Sequence, residues 1–337
     1  MHLVQIAKDA ERRVALVREP DLMLLREEAN TVLALARRAL AEGRSLTTVV
    51  DGLMSEETLT YDDVYEGHSV WKLLPPVDCP GDPQRVSVSG TGLTHLGSAR
   101  DRQAMHVAKT EQQEVQMTDS MRMFEWGRQG GRPAEGAVGI APEWFYKGDG
   151  SAVRGPFAAL EIPGHAEDGG EEAEVAAIYI VADDGTPWRL GMTTGNEFSD
   201  HVFERRNYLN LAGSKLRTCS IGPELIVGAD FSDVSGRVRV IRDGEVLWDK
   251  QIRTGEENMC HSLANLEHHH FKFAGHRQPG WVHIHFMGAD SLSYGEGIRL
   301  EAGDVTEVWF EKFGRALRNV ITKDEPVTTP VRARAMQ

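Results

Sequence analysis

Gly170-Glu171-Glu172-Ala173-Glu174-Val175-Ala176-Ala177-Ile178-Tyr179-Ile180-Val181 runs a short acidic segment straight into an apolar one. The apolar part has the length and the branched side chains of a buried β-strand. Residues two apart on a strand face the same side, so Glu172 and Glu174 would present two carboxylates to one point. Converging carboxylates are costly unless neutralised, and a hard divalent cation neutralises them with oxygen ligands. A solvated strand end carries the same spacing, so E-x-E alone does not separate a metal site from an exposed acidic end. Further along, Gly195-Asn196-Glu197-Phe198-Ser199-Asp200 offers a third acidic residue in a Gly-bounded turn, with Glu197 preferred and Asp200 as the alternative. Three carboxylates would leave the other octahedral positions for water and substrate.

Outward from this stretch, short apolar runs punctuated by glycine recur at Val86 to Val88, Leu225 to Val227, Val238 to Ile241, Val282 to Phe286 and Val305 to Phe310. Helical periodicity is confined to Arg100 to Asp119 and Ser262 to Phe273, and no βαβ rhythm is present. The reading is a mixed α/β, β-dominated domain over residues 85–325, followed by a tail at 326–337. Ahead of it, residues 1–75 read as a small αβ domain. Its strands are short and half-buried, and its helix runs from Ala29 to Glu42, where Gly43 stands at the C-terminal cap position. The boundary falls in the Pro-rich stretch from Leu73 to Pro83, which sustains neither helix nor central strand. Gly164 to Gly170 (GHAEDGG) reads as a mobile surface insertion.

With 41% hydrophobic residues in 337, the chain has enough apolar material for a sizeable core. It contains no run of eighteen apolar residues, and MHLVQIAKDAERR turns polar too soon for a signal peptide, so the cytoplasm is expected and no membrane is involved. A net charge of −14 argues against nucleic acid as a partner. Cys79, Cys219 and Cys260 lie too far apart for a metal knuckle or a disulfide framework. Adjacent histidines on a helix point in different directions, so His268-His269-His270 cannot all hold one ion. His283 and His285 share a strand face and read as core or supporting residues.

Seven short motifs then occur in one order: Leu74-Pro75-Pro76-Val77, Pro142-Glu143-Trp144-Phe145-Tyr146-Lys147-Gly148, Glu172-Ala173-Glu174, Gly195-Asn196-Glu197, Gly213-Ser214-Lys215 with Ile221-Gly222-Pro223, Leu300-Glu301-Ala302-Gly303-Asp304-Val305, and Gly314-Arg315-Ala316-Leu317-Arg318-Asn319. In this order the chain resembles the fumarylacetoacetate hydrolase superfamily over roughly residues 73 to 321. The resemblance implies a rolled, barrel-like β-structure, a homodimer, and Mg²⁺, or Mn²⁺ or Ca²⁺ in its place, held by Glu172, Glu174 and Glu197. Two departures stand out. Asn196-Glu197 replaces the commoner Asn-Asp, lengthening one ligand by a methylene. In Gly92-Leu93-Thr94-His95-Leu96-Gly97-Ser98-Ala99-Arg100, Ser98 falls where hydrolases of the superfamily carry a catalytic histidine. The Thr94, His95, Ser98, Arg100 pattern followed by Glu143 and Lys147 is similar instead to the branch that dehydrates 2-keto-3-deoxy sugar acids.

A small 2-keto acid chelates a divalent ion through its carboxylate and keto oxygen, and the ion stabilises the enolate formed when a C3 proton leaves. Expulsion of the C4 hydroxyl needs a base near C3 and a proton donor near C4. The resemblance implies Glu143 for the first and the Ser98, Arg100 or Lys215 neighbourhood for the second. Lys215 fits an electrophile beside the keto oxygen better than a Schiff-base former, because the ion already serves as electron sink. Thr94, His95, Lys147 and Ser291 are the implied substrate-binding residues, Ser291 standing in for a threonine that holds the substrate carboxylate. The expected activity is dehydration of a substrate such as 2-keto-3-deoxy-arabonate or -xylonate to 2-oxoglutarate semialdehyde. The alternatives are hydrolysis or decarboxylation of an acylpyruvate or oxaloacetate, with His95 acting for the missing histidine, and sugar-acid binding without turnover. Bland roles compete too: Glu143 and Lys147 as an i,i+4 surface pair, Ser98 and Arg100 as caps of a helix starting near Asp101, and Lys215 solvated on a polar strand.

Overall fold

The computed structural model describes residues 1–106 and 117–336. Its strands form one thirteen-stranded and one five-stranded sheet, both open, so among the described residues there is no closed barrel of the kind the sequence suggested. The strand Ala173–Val181 lies at the centre with every residue buried. It pairs antiparallel with Pro187–Asn196 on one side and Val282–Phe286 on the other. Val86–Gly92 follows, parallel to Val282–Phe286, and Glu143–Asp149 closes that flank.

The central strand explains the two cores through its period of two. Ala176, Ile178 and Ile180 face a cluster that includes Val88, Phe286 and Ile221. Val175, Ala177 and Tyr179 face the opposite way, into a cluster shared with Val238, Val308 and Phe310 of the five-stranded sheet. Each fully buried branched side chain contributes about 1.5–3 kcal/mol, so a one-residue slip of this strand is heavily disfavoured. Glu172 and Glu174 keep the even-numbered parity of the first face.

The N-terminal segment is less separate than its composition implies. Its strand His2–Lys8 pairs with Leu225–Ile226 and so continues the large sheet. Leu3, Val14 and the helix residues Val32, Leu33 and Leu35 belong to the same core as Ile178 and Ile284. A second cluster, built from Val4, Ile6, Leu22, Tyr61 and Trp71, is local to the segment. Residues 1–75 thus have a small core of their own but no break in the sheet. The Pro-rich connector is fastened down as well: Pro75 accepts a hydrogen bond from the Gln5 amide at 2.6 Å, and Asp78 pairs with Arg12 at 2.7 Å.

The first helix runs Val32–Glu42, capped by the Thr31 hydroxyl and ended by Gly43 at φ 60°. It starts later than Ala29 because the Ala29 carbonyl is committed to the amide of Val14. The helix expected from Arg100 to Asp119 corresponds to Leu96–His106 and Asp119–Gly130, and residues 107–116 of that span lie outside the described residues. The second expected helix is Leu263–Phe271, with Ser262 as its cap. GHAEDGG is a surface loop only in part. Asp168, Gly169 and Gly170 are buried, and Gly170 bridges to Ser199 because the loop closes over the start of the central strand.

Candidate metal and active site

The acidic trio is assembled by a hairpin. In the register of Ala173–Val181 against Pro187–Asn196, Ala173 faces Asn196 and Glu174 faces Gly195. The pairing extends one step further, the Glu197 amide donating to the Glu172 carbonyl at 2.9 Å and the Glu172 amide to the Asn196 side chain at 3.1 Å. Residues far apart in sequence therefore meet at one end of the ladder. Glu172, Glu174 and Glu197, all buried, offer one oxygen each within 4.8 Å of one another. Glu174 Oε2 also accepts from the Gly288 amide at 2.6 Å. Gly288 has φ +97° and a Cβ there would lie 2.0 Å from Thr94 Oγ1, so only glycine brings its amide this close.

Cations surround two members of the trio. Lys215 Nζ, on the short helix Leu211–Lys215, contacts Glu172 Oε1 at 2.5 Å, Ser199 Oγ at 2.8 Å, and Glu197 Oε2. Lys147 Nζ stands 2.8 Å from the other oxygen of Glu197. Arg102 reaches Glu172 through Nη2 at 3.6 Å, and Glu143 and Glu204 through Nη1 at 3.3 Å each. His201 Nε2 lies 3.1 Å from Glu172. Burial raises the Glu172 carboxyl, but Lys215, His201 and Arg102 outweigh it and hold Glu172 well below the usual range. Among the described residues no cation pairs with Glu174, and Lys215 acts on it only weakly. Burial, then the charges of Glu172 and Glu197, push it well above that range.

Glu143 opens the strand Glu143–Asp149, where Lys147 four residues on shares its face; both are buried, so they are not a surface pair. Glu143 accepts a hydrogen bond from Tyr208 at 2.8 Å and packs where a Cβ on Gly92 would lie 1.8 Å from its oxygen. Burial raises its carboxyl against the opposing pull of Arg102. A buried carboxyl with a raised pKa, hydrogen-bonded to a tyrosine and paired with an arginine, has the make-up of a general base or acid. Lys215 is fully buried on a helix rather than solvated on a strand.

The other expected residues divide. Ser98 is buried inside the helix Leu96–His106, its hydroxyl donating to the His95 carbonyl at 3.3 Å, so it is not a cap. Arg100 is exposed and stands apart from the cluster. On a helix, two residues turn the side chain by more than half a circle, whereas four return it to the same face. Arg102, four after Ser98, is consequently the arginine that enters. That spacing was readable in the sequence and was missed, as were Tyr208, Glu204 and His201, which carry no local signature. Thr94 donates to the Met287 carbonyl at 2.8 Å. His95 is fully buried with its ring nitrogens on Thr94 at 2.8 Å and Thr254 at 3.1 Å, and burial lowers it to about 3, so it has no nitrogen left for acid–base work. Ser291 is buried in the loop after Val282–Phe286. Asp200 is engaged elsewhere: it pairs with Arg217 at 3.1 Å and caps the helix His201–Arg206 through the Phe203 amide at 2.9 Å.

The residues fit a divalent ion by donor chemistry and by charge. All three donors are carboxylate oxygens, as Mg²⁺ or Mn²⁺ prefers. By charge, among the described residues Lys147, Lys215, Arg102 and His201 pair with Glu143, Glu172, Glu197 and Glu204, and none of them pairs with Glu174, which leaves that carboxyl for an ion to neutralise. Glu172, Glu174 and Glu197 would hold the ion.

No protein-family model and no curated protein matches the chain. Solved structures do. A 2-keto-3-deoxy-D-arabinonate dehydratase complexed with magnesium and 2,5-dioxopentanoate superposes with a TM-score of 0.69 at 17% identity, over 96% of this chain and 100% of that one. A 5-carboxymethyl-2-hydroxymuconate delta-isomerase from Mycobacterium smegmatis gives 0.57 at 17%, over 96% and 99%. A 2-hydroxyhepta-2,4-diene-1,7-dioate isomerase from Mycobacterium marinum gives 0.57 at 16%, over 96% and 98%. In three dimensions the chain shares the fold of these three proteins along nearly its whole length.

Proposed function

We propose that the protein is a divalent-metal-dependent hydro-lyase that dehydrates a 2-keto-3-deoxy sugar acid, such as 2-keto-3-deoxy-arabonate or -xylonate, to 2-oxoglutarate semialdehyde. The observation that carries this reading is the position of Glu143: a buried carboxyl with a raised pKa, one arginine away from the metal-type trio. The ion, when bound, supplies a Lewis acid for the keto oxygen and carboxylate of the substrate. Glu143 takes a C3 proton and is held in position by Tyr208 and Arg102. Lys215 supplies positive charge beside the substrate's keto end, and its tight hold on Glu172 and Glu197 makes it an electrostatic partner rather than a free amine for imine formation. The C4–O bond then breaks as the protonated Glu143 returns its proton to the departing hydroxyl, which leaves as water. The resulting 5-hydroxy-2-oxopent-3-enoate tautomerises to the semialdehyde, one proton moving from C5 to C3 and the C5 hydroxyl proton to C4.

Saturation of both His95 nitrogens argues against that residue standing in for a hydrolytic histidine. The likeness to a dehydratase solved with magnesium and 2,5-dioxopentanoate supports the same direction. The test is turnover of both pentonates with Mg²⁺, read by a coupled semialdehyde dehydrogenase. Release of acetate or CO₂ from an acylpyruvate or oxaloacetate, with no pentonate turnover, would replace this reading by the hydrolase or decarboxylase one. Binding without any turnover would leave a sugar-acid-binding protein.

A further inference from the structure

Glu204 is the one carboxylate of the cluster that neither the metal-type trio nor the proton chemistry uses. It sits on the helix His201–Arg206 at 1% exposure, three residues after His201 and on the same face. Neither of its oxygens has a hydrogen-bond donor among the described residues, although Arg102 Nη1 pairs with it at 3.3 Å. A buried carboxylate with open acceptor positions is expensive to retain, which marks it as waiting for a donor.

Arg102 shows where that donor lies. Its Nη2 faces Glu172 of the trio, and its Nη1 faces both Glu143 and Glu204. A 2-keto acid bound with C3 next to Glu143 would have its further carbons near Glu204, because one guanidinium nitrogen of Arg102 lies 3.3 Å from both carboxylates. We propose that Glu204 is the specificity residue for the far end of the substrate, accepting a hydrogen bond from a hydroxyl on C5. This rests on the proposed dehydratase reading and deepens it by naming the residue that reads the C5 hydroxyl those acids carry.

The experiment compares 2-keto-3-deoxy-arabonate with 4-hydroxy-2-oxopentanoate, which has the same C1 to C4 but a methyl group at C5. With Mg²⁺ saturating, the wild type favours the C5-hydroxylated acid in kcat/KM by about tenfold to a hundredfold, the usual reward for pairing a buried charged acceptor. Glu204→Met brings the ratio of kcat/KM for the two acids to about one, whatever its absolute rates, and Glu204→Gln, which keeps an acceptor oxygen, gives a ratio between the two. Equal losses on both acids, or a wild type with no preference, overturn the assignment. Should the wild type turn over neither acid, the dehydratase reading falls first. Calorimetry with the same two acids and Mg²⁺ then decides Glu204 alone: a binding preference present in the wild type and absent in Glu204→Met sustains it, and no preference refutes it.

Discussion

Lys147 Nζ stands 2.8 Å from Glu197 Oε1, and neither side chain touches solvent. A buried ion pair broken on one side leaves an uncompensated charge, which typically costs about 3–5 kcal/mol. Lys147→Met should therefore lower the melting temperature in metal-free buffer. Because Glu197 also belongs to the trio, Mg²⁺ should restore more stability to the variant than it adds to the wild type. Thermal melts with and without Mg²⁺ check this, and equal Mg²⁺ shifts in the two proteins would count against a shared role for Glu197.

Glu197 and Asp200 were both open to a ligand role in the sequence, and their surroundings separate them. Glu197→Gln is expected to weaken Mg²⁺ binding by about a hundredfold, in the range lost when a metal site is disturbed. Asp200→Asn should leave the affinity within about twofold while lowering stability by about 1 kcal/mol or more, since it removes a helix cap and the partner of Arg217. Calorimetric titration with Mg²⁺ resolves the two variants. A larger affinity loss in Asp200→Asn would mean the trio is wrongly drawn.

The two arginines of the helix Leu96–His106 offer a similar contrast. Arg102 joins Glu172, Glu143 and Glu204, whereas Arg100 is exposed. Replacing Arg102 by methionine should cut kcat/KM by about a hundredfold to a thousandfold, the scale of losing one preorganised charge from a reacting site. Arg100→Ala should stay within about twofold of wild type, as surface changes do. Comparable losses in both would require Arg100 to enter the site in solution.

What the sequence disclosed about this fold follows from which signals are local. The strand Ala173–Val181 was legible because all its residues are buried, so its apolar run is unbroken. Pro187–Asn196 was not, since it opens with Pro187 and the exposed Trp188 and Arg189 and is then interrupted by Gly191 and Gly195, which carry little strand signal. Glu172 and Glu174 were legible as a pair by strand parity. Glu204, Tyr208 and His201 were not, because the helix His201–Arg206 and the turn Tyr208–Asn210 after it are brought over the trio only by tertiary packing. Arg102 lies between these cases: four-residue spacing from Ser98 puts it on the helix face that meets Glu143 and Glu172, whereas the motif match drew attention to Arg100.

The histidines around the strand Val282–Phe286 give the fold a predictable acid response. His270 Nδ1 accepts from the Trp144 indole at 3.2 Å, which leaves Nε2–H to donate to His283 Nδ1 at 2.9 Å. His285 is held between Ser89 at 3.0 Å and Thr91 at 2.7 Å, and His276 packs on the His270 ring with centroids 4.6 Å apart. Burial, reinforced by the neighbouring histidines, lowers His283 and His285 to about 3 and carries His270 lower still. Unfolded histidine titrates near 6.5, so between that pH and about 3 the unfolded chain binds protons that the folded one refuses. Stability consequently falls as pH drops below about 6.5, by up to about 1.4 kcal/mol per pH unit for each such histidine. Buried carboxyls with raised pKa values, Glu143 and Glu171 among them, act in the opposite sense over part of this range. A differential measurement isolates the histidine contribution. His285→Gln keeps polar atoms facing Ser89 and Thr91 but cannot take up a proton. Urea unfolding at pH 7.5 and 5.5 should show its loss of stability smaller than the wild-type loss by about 1 kcal/mol. An identical loss in both proteins would mean that His285 is protonated, or exposed, in the folded state.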